Sequence, residues 1–464
     1  MAIHWHRLDL RLHDNRGLAQ AGTAEPVVPV FVFDRRVLRY GSPRRVAALL
    51  EALEGLRAAY RKRGSDLVVA SGEPTRVLPD LARAHGRDRV VWNRSYTRLG
   101  RQRDEAVETE LAAAGFATER VHDRLCHEPG SITTNDGRAY AVFSYFWDKW
   151  AERSPPEPTS PPDAAGLAAV DGDPLPSLES LGFDEPDCAG QTVSQAVGRD
   201  RLTAFCAGPI YRYEHRRDRP AADATSRLSS HLRWGTLGPR AVRRTVEDAR
   251  ADAPDETAAE SATSFLRQLA WREFYTHVLA AHPRVVTANY RSFERPIEWA
   301  ADPDGLAAWK AGETGFPLVD AGMRQLEAEG FMHNRVRMVV ASFLTKDLLV
   351  DWREGYRWFR SQLIDHDPAN DSGGWQWAAS TGTDPQPYFR VFNPTTQCER
   401  HDPEGEYVRR YVPELADAPT DVIHEWPSLS RETREQHAPA YPAPILDHQQ
   451  RRREAIEVFE TARG

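Results

Sequence analysis

The chain has 464 residues, of which 41% are hydrophobic and 28% are charged. This length predicts two or three structural units, and the balance of apolar and charged residues is typical of a soluble globular protein and excludes a disordered one. The formal net charge of -8 excludes nucleic-acid binding through overall charge, so any such binding has to rest on a local basic patch.

Targeting signals and cysteine usage favour a cytoplasmic protein without a membrane partner. No apolar run approaches the roughly 18 residues of a membrane span, and the opening MAIHWHRLDLRLHDN lacks the pattern of a secretory signal. No two of the four cysteines form a CxxC pair; they are Cys126, Cys188, Cys206 and Cys398. We therefore expect neither a disulfide framework nor a bound metal.

Short apolar runs alternate with helical patterns through about residue 125. The runs are AIHWH at 2–6, VVPVFVF at 27–33, DLVVA at 66–70 and RVVWN at 89–93. This alternation predicts a parallel α/β sheet. The clearest helix follows Ser42 and Pro43 and ends at Gly64. The first run leads into RLDLR rather than GxGxxG, so a dinucleotide bound in the usual Rossmann manner is not expected.

A proline-rich stretch at about 151–188 precludes a long helix and indicates an extended connection. Beyond it, helical patterns dominate, and the clearest are 262–281, 318–329, 331–350 and 447–461. The sequence therefore predicts three parts. They are a Rossmann-like α/β domain at 1–130, an interdomain linker at 131–195 and an all-α domain at 196–464.

Four elements beyond the linker carry polar and aromatic side chains at spacings that suggest a lined cavity. They are the helix face Gln268, Trp271, Arg272 and Tyr275, the helix face Asn334, Arg337, Met338 and Ala341, the turn-rich segment 365–377, predicted to be a loop, and the hydroxyl-rich turn 225–229. The turn could hold a phosphate at a helix start. Each element alone is more often structural: a helix edge with half-buried aromatics, or a Ser/Thr cap.

The order of the longer motifs is specific. They are HRLDLRLHDNRGL at 6–18, YRYEHRRDRP at 211–220 leading to TSRLS, WREFY at 271–275, MHNRVRM at 332–338, DWREGYRWF at 351–359 and WQWAASTGTDPQPYFRVFNPTTQ at 375–397. Over nearly the whole chain, this series resembles the DNA photolyase and cryptochrome family, most of all its class I cyclobutane pyrimidine dimer photolyases. The resemblance implies a helical domain that holds FAD and an α/β domain that holds a second, light-harvesting chromophore. A folate or a deazaflavin could serve, with Trp5, His6 and Arg7 to Asp9 as candidate walls.

The resemblance also implies which residues contact FAD. On the phosphate and ribose side they are Tyr213, Thr225, Ser226, Arg227, Leu228 and Ser229. On the isoalloxazine and adenine side they are Arg272, Asn334, Arg337, Asp365, His366, Asp367 and Asp371. A reduced anionic flavin needs positive charge nearby, and Arg337 with Asp365 could form a buried ion pair that tunes it.

The same resemblance assigns electron transfer and DNA binding. Trp375, Trp352 and Trp299 match the family's electron-transfer chain, although helix periodicity alone would place them in the core. Trp271 and Trp377 match the walls against which a flipped-out pyrimidine dimer packs. The full set of expected DNA contacts is Arg217, Gln268, Trp271, Tyr275, Asn334, Arg335, Met338, Trp377, Arg390 and Gln397. For each arginine alone, an internal ion pair is about as plausible.

Two positions depart from the photolyase pattern. Gln268 stands where cyclobutane photolyases carry Glu, and the histidine pair of (6-4) photolyases is replaced by Asn334 and Met338, so a cyclobutane dimer remains the better substrate. Asp371 stands where photolyases carry Asn facing flavin N5, and a protonated Asp there could donate a proton, which would suit signalling. Asp371 could instead simply hydrogen-bond to the reduced flavin.

The resemblance thus implies a monomeric DNA photolyase. It would repair cyclobutane pyrimidine dimers in UV-damaged DNA by electron transfer from excited reduced FAD. The expected catalytic residues are Gln268, Asn334, Asp371, Trp375, Trp352 and Trp299. The alternative is a cryptochrome-type blue-light photoreceptor without repair activity.

Overall fold

The structure, a computed structural model, describes residues 2–23, 25–186 and 190–464. Cys188 lies outside these residues, and among the described cysteines Cys126, Cys206 and Cys398 are free thiols. The chain forms two compact units. The first unit comprises Met1–Glu214 and Ser226–Pro283, and the second comprises His215–Thr225 and Arg284–Gly464. The predicted domain boundaries at 130 and 195 stay a prediction.

Five strands and twenty-one α-helices make up the regular structure of the described residues. The strands are β1 Ala2–His6, β2 Val28–Phe33, β3 Val68–Ser71, β4 Arg89–Asn93 and β5 Ala117–Val121. The helices are α1 Arg16–Ala21, α2 Arg35–Leu38, α3 Pro43–Arg61, α4 Pro74–Ala84, α5 Arg98–Ala113, α6 Phe143–Glu152, α7 Gln195–Cys206, α8 Tyr213–Arg216, α9 Ser229–Trp234, α10 Pro239–Ala251, α11 Glu256–Ala281, α12 Pro303–Ala311, α13 Pro317–Glu329, α14 Asn334–Ser342, α15 Trp352–Gln362, α16 Pro368–Ala378, α17 Pro394–His401, α18 Glu406–Tyr411, α19 Thr420–Glu425, α20 Arg431–His437 and α21 His448–Arg463. Throughout the described ranges, no helix is both long enough and apolar enough to cross a bilayer.

The first unit contains the predicted parallel sheet. The strand order is β3-β2-β1-β4-β5, and every neighbouring pair is parallel. The central strands β1 and β2 are buried along their whole length, which explains the continuous apolar run of β2. The edge strand β5 was not predicted, because its sequence ATERV carries charges and is only partly buried. The predicted parallel α/β class is confirmed.

The first unit also contains helices that the sequence assigned to the second domain or to the linker. Helix α11 begins at Glu256, six residues earlier than predicted, where Asp255 caps it by accepting from Ala258 N. Helix α6 lies inside the predicted linker 131–195. The proline-rich segment after α6 contains no α-helix between Arg153 and Pro186, as its composition predicts.

The second unit is helical throughout its described elements, as predicted. Its apolar core includes Trp309, Trp352, Phe359 and Trp375. The predicted helix 331–350 is shorter: α14 ends at Ser342, a π-helix follows over Phe343–Asp347, and Leu349 has a positive φ of 55°. The prediction of a loop at 365–377 was wrong, because Pro368 opens α16 at a position where proline costs nothing and Asp367 caps it.

Candidate cofactor and nucleic-acid site

Four predicted side chains share one face of α11 in the first unit. Gln268, Trp271, Arg272 and Tyr275 are all half-buried, whereas the residues between them on the opposite face are buried. Trp271 lies 5.4 Å from Tyr275, measured between ring centroids. The helix therefore presents an amide, an indole, a guanidinium and a phenol side by side, as the spacing predicted.

Arg272 is held by backbone carbonyls in the first unit. Its Nη1 donates to the carbonyl of Arg124 at 3.1 Å, and its Nη2 donates to the carbonyl of Leu232 at 3.2 Å. Leu232 belongs to α9, so Arg272 lies beside the helix that follows the predicted phosphate turn. Tyr213 is buried against Phe205 and Phe265, with ring centroids 5.8 and 5.4 Å away.

The segment Ser226–Ser229 leads into α9 with a special backbone geometry. Arg227 has a positive φ of 49°, which non-glycine residues rarely adopt. Leu228 precedes the helix, and no side chain caps it. Ser229 is thus the first helical residue, and the backbone N–H groups at this end have no side-chain acceptor from the cap. Phosphate binding by this segment, together with Thr225 in the second unit, stays a prediction.

Helix α14 carries the second predicted face, in the second unit. His333 caps the helix by accepting from Arg335 N at 3.2 Å. Asn334 is exposed, and its Nδ2 lies 3.8 Å from the sulfur of Met338 one turn away. Arg335 forms an ion pair with Asp218 at 2.6 Å, which is the internal pairing that the sequence left open as an alternative to a DNA contact.

Arg337 and Asp365 form the ion pair that the sequence led us to expect. The distance from Nη2 to Oδ2 is 2.8 Å, and Arg337 Nε also donates to the carbonyl of Met332 at 2.8 Å. Burial lowers the pKa of Arg337, but the negative charges of Asp365 and Asp371 outweigh this and raise it. The arginine therefore carries its charge in the folded protein.

A buried polar atom of this ion pair fits a bound cofactor. Asp365 Oδ1 and Trp375 Nε1 are buried and have no hydrogen-bond partner among the described residues. A buried polar group without a partner costs free energy, so native proteins rarely leave one unless a ligand or water satisfies it. Asp365 Oδ1 is thus an acceptor left over at a residue that the resemblance assigns to the flavin, and Trp375 Nε1 is a donor left over in the core of the same unit.

The start of α16 gives three predicted residues distinct roles. Asp367 accepts from Ala369 N and Asn370 N, at 3.0 and 3.2 Å, and so caps the helix. His366 Nδ1 lies 2.5 Å from Asp371 Oδ2 in the first turn. This pair was not predicted, because it depends on the helical turn that the sequence analysis took for a loop. Asp371 is thus engaged by an imidazole within its own unit.

The three tryptophans of the expected electron-transfer chain lie in the second unit. Trp375 and Trp352 are buried in its core, and Trp299 packs against the same core while half-exposed. Trp352 Nε1 donates to Asn289 Oδ1 at 2.9 Å. Trp299 is thus the one of the three that reaches the surface, as the end of a route from the interior requires. The role of the three residues in electron transfer stays a prediction.

Glycine at position 355 makes room for Trp375. This contact was not predicted from the sequence. A Cβ atom at this position would lie 2.1 Å from the Trp375 ring. Gly355 is in the first turn of α15, three residues after Trp352. The Trp375 indole therefore packs directly on the backbone of the helix that carries Trp352. A glycine inside the amphipathic motif DWREGYRWF is the signal that could have indicated this contact.

The remaining predicted DNA contacts of the second unit lie at or near its surface. Trp377 is half-buried, with its ring centroid 6.3 Å from that of Phe392. Arg390 is exposed, and Arg217 and Gln397 are half-buried. These side chains are accessible to a ligand, and their contact with DNA stays a prediction.

His4 and His6 of β1 form a cluster with Asp9, which follows that strand in the first unit. Their possible metal-ligating atoms lie within 4.8 Å of one another. The Asp9 carboxylate accepts from His4 Nε2 at 3.1 Å and from Asn93 Nδ2 at 2.5 Å. His6 Nε2 lies 2.7 Å from the Tyr60 hydroxyl. Burial lowers the pKa of His6 to about 3, so the imidazole is neutral. These hydrogen bonds account for most of the buried polar atoms, and the absence of a metal stays a prediction.

Two family models match the chain. The model described as "DNA photolyase" matches residues 2–163, and the model described as "FAD binding domain of DNA photolyase" matches residues 265–461. Among curated proteins, the deoxyribodipyrimidine photo-lyase of Halobacterium salinarum is 53% identical over 100% of both chains. The deoxyribodipyrimidine photo-lyase of Escherichia coli is 38% identical over 99% of this chain and 98% of the relative.

Solved structures agree with these matches. A bacterial class III photolyase from Agrobacterium tumefaciens has a TM-score of 0.91 and 36% identity, covering 99% of this chain and 97% of its own. An archaeal photolyase from Sulfolobus tokodaii with two FAD molecules has a TM-score of 0.84 and 32% identity, covering 99% of both chains. The Synechocystis cryptochrome has a TM-score of 0.88 and 26% identity, also covering 99% of both chains. The chain therefore belongs to the DNA photolyase and cryptochrome family.

Proposed function

We propose that this chain is a deoxyribodipyrimidine photo-lyase that repairs cyclobutane pyrimidine dimers in UV-damaged DNA. The observation that carries the proposal is the 53% identity to the Halobacterium salinarum photo-lyase along the full length of both chains. FAD, when bound and reduced, supplies the light-driven electron that opens the dimer. No nucleophile from the protein is needed for that bond cleavage, so the side chains act by binding, orienting and shielding.

The ion pair of the second unit would hold the cofactor. Arg337 supplies a positive charge that favours a negatively charged ring system, and Asp365 Oδ1 offers a free buried acceptor to a ring N–H. Trp375 is buried in the apolar core of the same unit. The three-tryptophan chain from Trp375 through Trp352 to Trp299 would return an electron from a surface reductant when the cofactor is oxidised.

The DNA lesion would be bound by aromatic walls and amides. Trp271 and Trp377 offer flat half-buried rings on which a flipped-out base can stack. Gln268 can donate its amide N–H groups to a pyrimidine carbonyl, although it cannot supply a proton. Arg217 and Arg390 would contact phosphates. Because arginines that contact phosphates release the counterions of the DNA, binding should weaken as salt rises.

Several finer assignments belong to the same proposal. They are a light-harvesting chromophore of the folate or deazaflavin type, a cytoplasmic location, a monomeric state and membership of class I. Two relatives differ in class and in bound chromophore: the Agrobacterium protein is a class III photolyase, and the Sulfolobus protein carries two FAD molecules. Extraction of the chromophores from the purified protein and their absorption spectra will identify the antenna.

The alternative function is a cryptochrome-type photoreceptor. Asp371 favours it, because an acid replaces the amide that photolyases carry, and so does the likeness to the Synechocystis cryptochrome. Affinity for damaged DNA in the dark separates the two functions. A photolyase binds a duplex with one thymine dimer much more tightly than the same undamaged duplex, and the binding weakens with salt. Equal affinity for the two duplexes would favour the photoreceptor.

A further inference from the structure

Phe143 covers one face of the Trp271 indole in the first unit. The two ring centroids are 3.8 Å apart and the ring planes are within 10° of parallel. Phe274 meets both rings edge-on, at 5.9 Å and 78° for Phe143 and at 5.5 Å and 87° for Trp271. The indole is therefore held by one stacked ring, one perpendicular ring and the tilted ring of Tyr275, 5.4 Å away at 36°, while part of it stays accessible.

Helix α6, which carries Phe143, is firmly attached to α11. Phe143, Phe146 and Trp150 form a buried stripe at helical spacing along α6. Phe146 packs against Phe274 with a centroid distance of 5.5 Å. Trp150 Nε1 donates to the buried carboxylate of Glu273 at 2.9 Å. Both partners lie on α11, so the helix that presents Phe143 is fixed to the helix that presents Trp271.

Glu273 extends this attachment to the chain before α6. Its two carboxylate oxygens accept the backbone N–H groups of Cys126, at 2.5 Å, and His127, at 3.2 Å. A buried carboxylate that accepts three hydrogen bonds is a strong fixed point. The position of Phe143 is therefore set by contacts that do not involve Trp271 itself.

We propose that Phe143 is a positioning residue for lesion binding: it fixes the plane of the Trp271 indole, so that a base of the flipped-out dimer stacks on the opposite face. This inference rests on the proposed function, in which Trp271 is one wall of the lesion pocket. An aromatic wall that is already fixed loses little conformational entropy when a base stacks on it. Phe143 also occupies one indole face, which restricts the base to the other.

The test compares substitutions on α6 by dark binding to a duplex with one thymine dimer and to the undamaged duplex. Phe143→Leu removes the flat ring, and we expect dimer affinity to fall about 2- to 10-fold, with the affinity for undamaged DNA unchanged. Phe143→Tyr keeps the ring and restores the affinity. Tyr145→Leu is the matched control, because it removes an exposed aromatic ring from the same helix. Melting temperatures establish that each variant is folded, and Phe143→Met replaces Phe143→Leu if that variant does not fold.

A double variant and a turnover measurement complete the test. If Phe143 acts through Trp271, Phe143→Leu adds no further loss in a Trp271→Ala background, and repair at saturating DNA stays unchanged. Independent, multiplying losses in the double variant would overturn the proposal, as would equal losses for damaged and undamaged DNA. Trp271→Ala with full dimer affinity would also overturn it. Coupled losses of dimer affinity in a protein without repair activity would uphold this inference and contradict the proposed function instead.

Discussion

Asp365 shares only one of its carboxylate oxygens with Arg337. Oδ2 lies 2.8 Å from the arginine Nη2, whereas Oδ1 is buried without a hydrogen-bond partner in the part of the chain that the structure describes. An ion pair that used both oxygens would be complete in itself. The pair of Arg337 and Asp365 leaves Asp365 Oδ1 as an unused acceptor, which fits a bound molecule that donates a hydrogen bond to it.

The free acceptor leads to a prediction about cofactor retention. Asp365→Asn keeps the shape of the side chain but removes its charge and the direct ion pair with Arg337. A hydrogen bond to a charged group contributes about 1.5–3 kcal/mol, so we expect FAD to bind about 10- to 100-fold more weakly. Reconstitution of the apoprotein with FAD, followed by fluorescence, measures this. Asp304→Asn, an exposed change on α12, is the control, and equal FAD affinity of the two variants would contradict the prediction.

The contact between Gly355 and Trp375 predicts an asymmetric response to alanine. Gly355→Ala would place its Cβ 2.1 Å from the Trp375 ring, and overpacking of this kind costs about 1–3 kcal/mol. Gly374→Ala is the matched control, because no described atom lies within 4 Å of the added Cβ and alanine favours a helix. Urea unfolding should show destabilisation only for Gly355→Ala. Similar stabilities of both variants would rule out the tight contact.

Trp352 is predicted to be necessary for photoreduction and dispensable for repair. Phenylalanine is far harder to oxidise than tryptophan, so Trp352→Phe should slow photoreduction of oxidised flavin at least about tenfold while chemically reduced protein still repairs DNA. The lost hydrogen bond to Asn289 should cost about 1 kcal/mol of stability. Trp309→Phe is the matched control: Trp309 is also buried, with its ring 6.1 Å from Trp375 and its Nε1 bonded to the Val340 carbonyl. Equal photoreduction of the two variants would exclude Trp352 from the route.

Much of the fold is predictable from the sequence, and the predictions that were wrong failed for physical reasons. The continuous apolar run of β2 predicts a buried parallel strand because both sheet faces are covered. The segment at α16 was taken for a loop because Gly373 and Gly374 disfavour a helix. The cap by Asp367 and the packing of Trp375 on Gly355 override that propensity.

The site is less predictable than the fold because it depends on distant pairs. The resemblance supplied Arg337 and Asp365, and the structure contains their ion pair. It gave no indication of the stacking between Phe143 and Trp271, since 128 positions separate the two residues and no local pattern links them. The pair of His366 and Asp371 was missed for a local reason, because it requires the helical turn.

Lys346 predicts a distinctive pH dependence of stability. Its Nζ is buried, donates to Ser380 Oγ at 2.9 Å and lies 3.4 Å from the centre of the Phe459 ring. Burial lowers the pKa of Lys346 from 10.5 to about 7. Between these values the unfolded chain binds more protons than the folded one, so the free energy of unfolding rises with pH.

Lys346→Met should remove this contribution. Between pH 7 and about pH 8.5 the wild-type protein should gain about 1–2 kcal/mol relative to the variant. The cysteines, which also titrate near pH 8.5, are common to both proteins and cancel in the comparison. Urea unfolding across this interval measures the difference. The carboxyl of Asp347, whose pKa burial raises to about 6, titrates below the interval in both proteins. Parallel pH profiles would show that Lys346 does not titrate there.

Trp377 is predicted to contribute directly to lesion binding. Trp377→Ala should weaken binding to a dimer-containing duplex by about 1–3 kcal/mol if a base stacks on the indole. Trp358→Ala is the control, because Trp358 is likewise half-buried in the second unit and has the ammonium group of Lys310 5.2 Å from its ring centroid. Dark gel-shift titrations compare the two. Unchanged dimer affinity of Trp377→Ala would return the residue to a packing role.

The central claim is that this protein repairs DNA with light. The direct measurement mixes dithionite-reduced protein with an excess of an oligonucleotide that carries one thymine cyclobutane dimer, and follows the recovery of thymine absorbance under blue light and in the dark. We predict many dimers repaired per protein molecule in the light and none in the dark. Bound flavin that photoreduces normally, without recovery of thymine in the light, would contradict the photo-lyase function and point to a photoreceptor.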